Sequence, residues 1–207
     1  MLIVRNVDLA RLFDRQAKRY DLRGQKDERR VTPLVRIRKM LLAKASGRVL
    51  EAAVGAGANF PHYPALVHVT AVDISPEMVA RARQAAERHR VTAEFYVEDL
   101  ERMEFPEDAF DTVVSTLSLC GYADPVDMLR KFRRWCRPQG RILLLEHGAA
   151  SFAPLRLLQH GIDPLQVRKV GCHANRDILA IARAADLRML REERKFLGAL
   201  YVIEAEP

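Results

Sequence analysis

Two groups of residues in this 207-residue chain have the types and spacing that chemistry needs. The first is the run Glu51-Ala52-Ala53-Val54-Gly55-Ala56-Gly57-Ala58-Asn59, directly after the apolar pair Val49–Leu50. Gly55 and Gly57 lack side chains, so the backbone there can turn sharply and approach a ligand closely. Alone, such a turn is shared by many nucleotide-binding chains. Its spacing to two later acids is more informative. Asp73 closes the next apolar run, VTAVD, where a carboxylate can accept hydrogen bonds from both hydroxyls of a ribose. It can also serve the helix that opens at Ser75–Pro76. Asp99–Leu100 closes a third run, where an acid and an apolar side chain can bracket an adenine ring; for Asp99 a plain turn role is the alternative. A dinucleotide fingerprint would place a third glycine at position 60, and Phe60 stands there instead.

The second group lies further along. His147 ends the apolar run RILLLEH, at the end of a strand where ligands gather, and can accept a proton, orient a polar group or simply close the strand. Glu146 points to the opposite face of that strand. In GCHANRD, His173 and Arg176 can hold an anionic group, although Arg176 can instead steady the following helix through Asp177. Cys120 lies near the same mouth, either touching substrate or acting as a small buried hydrophobe. His62 and Tyr63 follow the glycine turn, with packing the expected role for Tyr63. The three cysteines, Cys120, Cys136 and Cys172, have no CxxC spacing. Neither a disulfide framework nor a metal cluster is expected, and a reducing, cytoplasmic setting is the default.

The elements that must position these groups alternate. A helix is expected from Leu9, with Leu12, Phe13, Ala17 and Tyr20 at helical spacing, ending at Gly24. A second runs from Thr32–Pro33 to Ala45 and stops at Gly47. Then come the strand RVLEAAV, the glycine turn, the strand VTAVDIS, a helix over PEMVARARQAAERHR and the strand TAEFYVEDL. The strand FDTVVSTLSL follows, then a helix from about Asp124 to Cys136. RPQG reads as a turn into RILLLEH, and 149–172 has no clean period and reads as an inserted lid or loop. NRDILAIARAADL is a helix, and RKFLG with ALYVIEAEP reads as a closing hairpin. This order predicts one α/β domain: a Rossmann-like, doubly wound, seven-stranded sheet, mostly parallel, with a C-terminal antiparallel hairpin. Its parts are a basic helical segment (1–46), a cofactor-binding core (47–148) and a substrate-side insertion with the last helix and hairpin (149–207).

The net charge of +7 is unevenly placed. Residues 1–48 hold 14 Lys and Arg against 5 Asp and Glu, whereas the remainder holds 20 against 22. The basic character therefore belongs to the N-terminal segment, which can serve an anionic membrane surface through residues 1–30 or form a solvated helix face. The first residues carry charges and no small-residue cleavage site, so a secretory signal is not expected. No apolar run is long enough for a membrane-spanning helix.

The runs VLEAAVGAGANF, VTAVDIS, VEDLERMEFPEDAFDTVVSTLSLC and RKFRRWCRPQGRILLLEH, in that order, resemble class I S-adenosylmethionine-dependent methyltransferases over about residues 45–148. Within that family GANFPHYP, STLSLC, LLLEH and GCHANRD resemble the branch of small bacterial phospholipid N-methyltransferases and methyltransferase-like thiol methyltransferases. The resemblance implies S-adenosylmethionine as cofactor and S-adenosylhomocysteine as product. It implies cofactor contacts at Glu51, Ala53, Gly55, Gly57, Asn59, Asp73, Ile74, Met78, Glu98, Asp99, Leu100, Ser115 and Thr116. Tyr20–Asp21 is similar to the pair that precedes the core in ubiquinone-type relatives, which implies that Tyr20 covers the cofactor and serves the reaction. His147, His173 and Arg176 are the expected substrate contacts, with His147 catalytic. The family usually has glycine where this chain has Ala53, and a non-catalytic, cofactor-binding protein is the alternative that this departure raises. The D/N-P-P-Y/F run of amino-methylating DNA enzymes is replaced by STLSL, so nucleic acid is not the expected substrate. The branch offers two acceptors, the amine of phosphatidylethanolamine-type lipids and a small thiol, with a quinone-like molecule as a third. The basic segment favours the lipid and a site peripheral to the inner membrane face.

Overall fold

The computed structural model describes residues 6–29 and 32–207, with side chains for 9–22 and 32–207. Among the described residues, seven strands form a single sheet in the order β3-β2-β1-β4-β5-β7-β6. They are β1 (Arg48–Ala52), β2 (His68–Asp73), β3 (Thr92–Val97), β4 (Phe110–Thr116), β5 (Cys136–His147), β6 (Arg188–Lys195) and β7 (Leu200–Glu206). The first five pair in parallel, and β7 runs antiparallel to both β5 and β6.

Helices cover both faces, which is why the central strands are continuously apolar rather than alternating. Val113, Ile142 and Leu144 pack on one side with Phe132 and Trp135 of α4 (Pro125–Trp135) and Ile178 of α6 (Ile178–Ala184). Their chain neighbours Val114, Leu143 and Leu145 point to the other side, toward Leu42 of α2 (Pro33–Leu42) and Ala82 of α3 (Pro76–His89). Local capping fixes where these helices begin. Thr32, Ser75, Asp124 and Asp177 each accept a backbone N–H from the first turn of α2, α3, α4 and α6, as N-cap side chains do.

Several elements depart from the sequence expectation, among them the closing hairpin, whose first strand runs Arg188–Lys195 while RKFLG holds only its end and the turn. The first helix, α1 (Asn6–Arg29), does not stop at Gly24. A glycine costs only about 1 kcal/mol in a helix, and its neighbours Arg23, Gln25 and Lys26 are good helix formers. RPQG lies inside β5, where the pairing with β4 shifts register between Phe110↔Cys136 and Thr112↔Arg141. The stretch 149–172 is mostly one helix, α5 (Ala153–Val170). The pattern of a core-facing helix is missing from its sequence because its buried face consists of Gln159, Asp163 and Val167.

Candidate functional site

A cleft of about 510 Å³ opens at the carboxyl ends of the parallel strands. It lies where the strand order reverses between β1 and β4, the place where doubly wound sheets bind ligands.

One wall is the turn after β1. Ala53 turns the chain out of the strand at φ 55°, in the left-handed region that glycine adopts freely and alanine does not. Gly55 lines the cleft at φ 54°, and a Cβ built on it would meet nothing within 4 Å, so its backbone is bare to the cavity. Gly57 does not line the cleft. A Cβ there would come within 2.8 Å of both Ala85 and the Phe60 ring, so its missing side chain serves close packing on α3.

Asp73 ties this turn to the next strand. Its carboxylate accepts the Gly55 N–H at 2.8 Å and the Ser75 N–H at 2.9 Å. Burial raises its pKa to about 6 against those two hydrogen bonds. Ile74, Met78, Glu98, Asp99 and Leu100 continue the same wall.

Beneath the turn lies a polar network. Arg38 of α2 donates to Asn59 at 2.8 Å, Asn59 donates to Glu51 at 2.8 Å and to Thr116 at 3.0 Å, and the Tyr63 hydroxyl donates to Glu51 at 2.9 Å. Arg38, Asn59 and Thr116 line the cleft, whereas Glu51 sits behind Asn59. Burial pushes the Glu51 carboxyl up to about 7, opposed by Tyr63 and Asn59. Ser115 also stays behind the wall, fully buried and donating to Glu146 at 2.7 Å. In sequence Arg38 is one of many cations in the basic segment, so its charge does not single it out. Its signal was position: it lies four residues after Leu34 and four before Leu42, a cation on an otherwise apolar helix face.

Helix α1 lies along the cleft. Leu9, Phe13 and Tyr20 line it, Asp14 accepts from the Ser75 hydroxyl and the Glu77 N–H, and Asp21 pairs with Arg81 at 3.1 Å. Leu9, Leu12 and Phe13 also crowd against Gly171. The apolar face over Leu9, Leu12 and Phe13 is thus turned onto the protein.

The opposite end of the cleft holds His147, with Cys120, Gly121, Tyr122, Gln166, Val170 and Cys172. His147 Nε2 lies 3.8 Å from the Cys172 sulfur, which also accepts from Gln166 at 3.6 Å. The Cys120 thiol and His147 hold Cys172 well below the ordinary thiol range, against its burial. Burial alone would lower the His147 imidazole, but Cys172 and Glu146 outweigh it and hold the ring above its ordinary value. Together the two side chains can take up one proton. Neither His173 nor Arg176 lines the cleft: His173 bonds Asp163 of α5 at 2.7 Å and Arg176 donates to the Leu119 carbonyl at 2.6 Å. The loop presents Cys172 to the cavity instead. His62 is also absent from the lining.

These groups suit S-adenosylmethionine in kind: a bare backbone and a carboxylate for a ribose, Asp99 and Leu100 for an adenine, and a buried arginine for an amino-acid carboxylate.

The family model described as a methyltransferase domain matches residues 50–144. The chain is 29% identical over 157 residues to phosphatidylethanolamine N-methyltransferase of Cereibacter sphaeroides, covering 75% of this chain and 77% of that protein. It is 37% identical over 116 residues to the human thiol S-methyltransferase TMT1B, covering 54% of this chain and 48% of that protein. Against several such curated relatives the chain spans about half of the relative's length. In fold it matches the crystal structure of a SAM-dependent methyltransferase from Aquifex aeolicus, with TM-score 0.66 at 15% identity over 93% of this chain and 97% of that one.

Proposed function

We propose that this chain, a class I S-adenosylmethionine-dependent methyltransferase by its domain, transfers a methyl group to the amine head group of a phosphatidylethanolamine-type phospholipid. The observation that carries this reading is the relative named for that lipid, which is matched over three quarters of both chains.

When bound, the cofactor supplies a methyl group on a sulfonium, ready for in-line displacement, so the protein's task is alignment in a dry pocket. Asp73 accepts from the ribose hydroxyls, Asp99 and Leu100 flank the base, and Arg38 with Asn59 holds the carboxylate end. Leu9, Phe13 and Tyr20 of α1 close over the cleft and exclude water. At the acceptor end an ammonium group must lose its proton before it can attack. The His147–Cys172 pair is placed to take that proton. His173 and Arg176, behind the wall, act by holding Asp163 and the Leu119 carbonyl in place.

Among the described residues no helix is long and apolar enough to cross a membrane, which is compatible with an enzyme that visits the bilayer from one side. Nucleic acid is not part of this reading, because the segment Ser115–Leu119 carries none of the residues that clamp a flipped base. A thiol acceptor is the second reading, supported by 37% identity to a thiol S-methyltransferase over about half of the chain.

The test is methyl transfer from labelled cofactor to phosphatidylethanolamine vesicles and, separately, to an alkyl thiol. Product lipid carrying label is the expected outcome. Label confined to the thiol would replace the lipid reading with the second one, and label in neither would refute both.

A further inference from the structure

Helix α5 is built inside out. Its inward face carries Gln159 and Asp163, both buried. Gln159 accepts the Ala150 N–H at 2.8 Å and donates to the Gly148 carbonyl at 2.9 Å. Asp163 accepts the Ala174 N–H at 2.9 Å and bonds His173. The outward face is apolar: Leu157, Leu158, Ile162 and Leu165 are 76%, 58%, 42% and 54% exposed. Their spacing puts them on one side of the helix. A Cβ built on Gly161, in the middle of that side, would meet no atom within 4 Å. An exposed leucine is ordinary, but a contiguous apolar face is not.

The hairpin between β6 and β7 repeats the anomaly. Its tip is Phe196–Leu197, both in the left-handed region at φ 51° and 55°, and both more than half exposed. Such turns ordinarily use asparagine, aspartate or glycine, because bulky side chains are strained there. The Leu197 carbonyl accepts the N–H groups of Ser151 and Phe152 at 3.1 and 3.2 Å. The tip is thereby joined to the start of α5, where Phe152 is also half-exposed. Two separate elements thus place large apolar side chains where local rules call for polar ones, and hydrogen bonds tie the hairpin tip to the residues that open the helix.

The charges nearby favour one occupant. Helix α5 carries Arg156, His160, Arg168 and Lys169, and its single acid, Asp163, is turned inward. Leucine and phenylalanine flanked by basic residues is the composition of elements that lie in a bilayer interface. Moreover, Gln166 and Val170 of this helix line the catalytic cleft.

We propose that α5 and the Phe196–Leu197 hairpin tip form a docking surface for an anionic lipid bilayer. The surface stands on its own observations, although it deepens the lipid reading by bringing the wall of the acceptor cavity to the membrane. It also transfers the membrane role from α1, whose apolar face is engaged by the protein, to α5.

The test is co-sedimentation of the full chain with vesicles of phosphatidylcholine alone or mixed with phosphatidylglycerol. Binding to the mixed vesicles is expected, weakening with salt and at least tenfold weaker on phosphatidylcholine. Leu158→Glu with Leu165→Glu, and separately Phe196→Asn with Leu197→Gly, should each reduce partitioning about tenfold or more, given the apolar area that each removes. All side chains altered are exposed, and near-ultraviolet circular dichroism with S-adenosylhomocysteine titration checks that the variants fold and bind cofactor. A double variant on the outer face of α1, Arg11→Glu with Arg15→Glu, should retain most of the apolar-driven binding. Unchanged partitioning of the α5 and hairpin variants would overturn the proposal. So would lipid-free self-association of the parent chain that the same variants abolish, because the face would then belong to a second copy. If docking fails while lipid methylation persists, only this inference falls. If docking holds and the lipid is not methylated, only the acceptor assignment falls.

Discussion

Replacing Asp73 with Asn keeps the shape of the side chain and removes its charge and half its accepting capacity. In the native chain one carboxylate serves the Gly55 and Ser75 N–H groups at 2.8 and 2.9 Å and, in the proposed complex, the ribose hydroxyls. An amide has one accepting oxygen, and its NH2 would face a second donor. A buried donor left unpaired costs about 1–3 kcal/mol. Against that, the native carboxylate bears a desolvation penalty: the rise from 3.8 to about 6 is on the order of 3 kcal/mol. The two effects offset each other in folding at pH 7.5, so the melting temperature should move little. They do not offset in binding, where the lost ribose acceptor should weaken S-adenosylhomocysteine by roughly 5–150-fold. The sign with pH follows from the same group. Its folded-state pKa is raised, so its contribution to folding stability is present below the unfolded value of 3.8 and lost as pH rises through about 6. Cofactor affinity runs the other way, because binding uses the ionised acceptor: it should fall up to tenfold per unit as pH drops below about 6. Isothermal titration at pH 7.5, 6 and 5 on both chains measures this. Parent affinity flat across that range, or variant affinity within twofold of the parent with an intact fold, would refute the reasoning.

The glycine turn offers a paired comparison by thermal unfolding. Gly55→Ala meets no neighbour and bears only the left-handed backbone, about 1–2 kcal/mol, whereas Gly57→Ala adds contacts at 2.8 Å with Ala85 and Phe60 and should lose roughly 2–4 kcal/mol. Equal losses would show that the packing argument for Gly57 is mistaken. Ala53→Gly relieves the strain at φ 55° but adds chain entropy to the unfolded state, for a net gain of about 0.5–1 kcal/mol; a lower melting temperature would mean that the Ala53 methyl group packs usefully in the cleft. Arg38→Ala should weaken S-adenosylhomocysteine by about tenfold or more, with Arg38→Lys recovering part of it. An unaffected dissociation constant would remove Arg38 from the cofactor site.

What could be read from the chain alone were features whose causes are local. Ser75 caps α3 and Asp124 caps α4 because their oxygens reach N–H groups two or three residues on. The fold class followed in the same way, from apolar runs alternating with capped helices. What could not be read depended on partners distant in sequence. Gln159 and Asp163 face inward because Gly148, Ala150 and Ala174 offer them backbone groups, and no periodicity within 149–172 encodes that. His173 and Arg176 are of the right type for an anion site, yet the loop's course turns them to Asp163 and Leu119 and leaves Cys172 at the cavity. Residue type suggested the chemistry there, and direction decided otherwise.

The two strands that flank the switch point end in the same unusual way. Beyond β1 stands Ala53 at φ 55°, and beyond β4 stands Leu117 at φ 57°. Neither is glycine, and both line the cleft. A left-handed leucine costs roughly 1–2 kcal/mol and persists only where its surroundings hold it. Here the Leu117 N–H donates to the Leu145 carbonyl of β5 at 2.8 Å, and the next two N–H groups, of Ser118 and Leu119, are held by the buried Glu146 carboxylate at 2.9 and 3.2 Å. Glu146 is thereby more than a buried acid behind His147. It fixes the loop that carries Cys120, and the same strand end carries His147, so a single carboxylate ties together two residues that line the cleft. The left-handed turn at Leu117 is thus held by hydrogen bonds to β5, the strand that also carries His147.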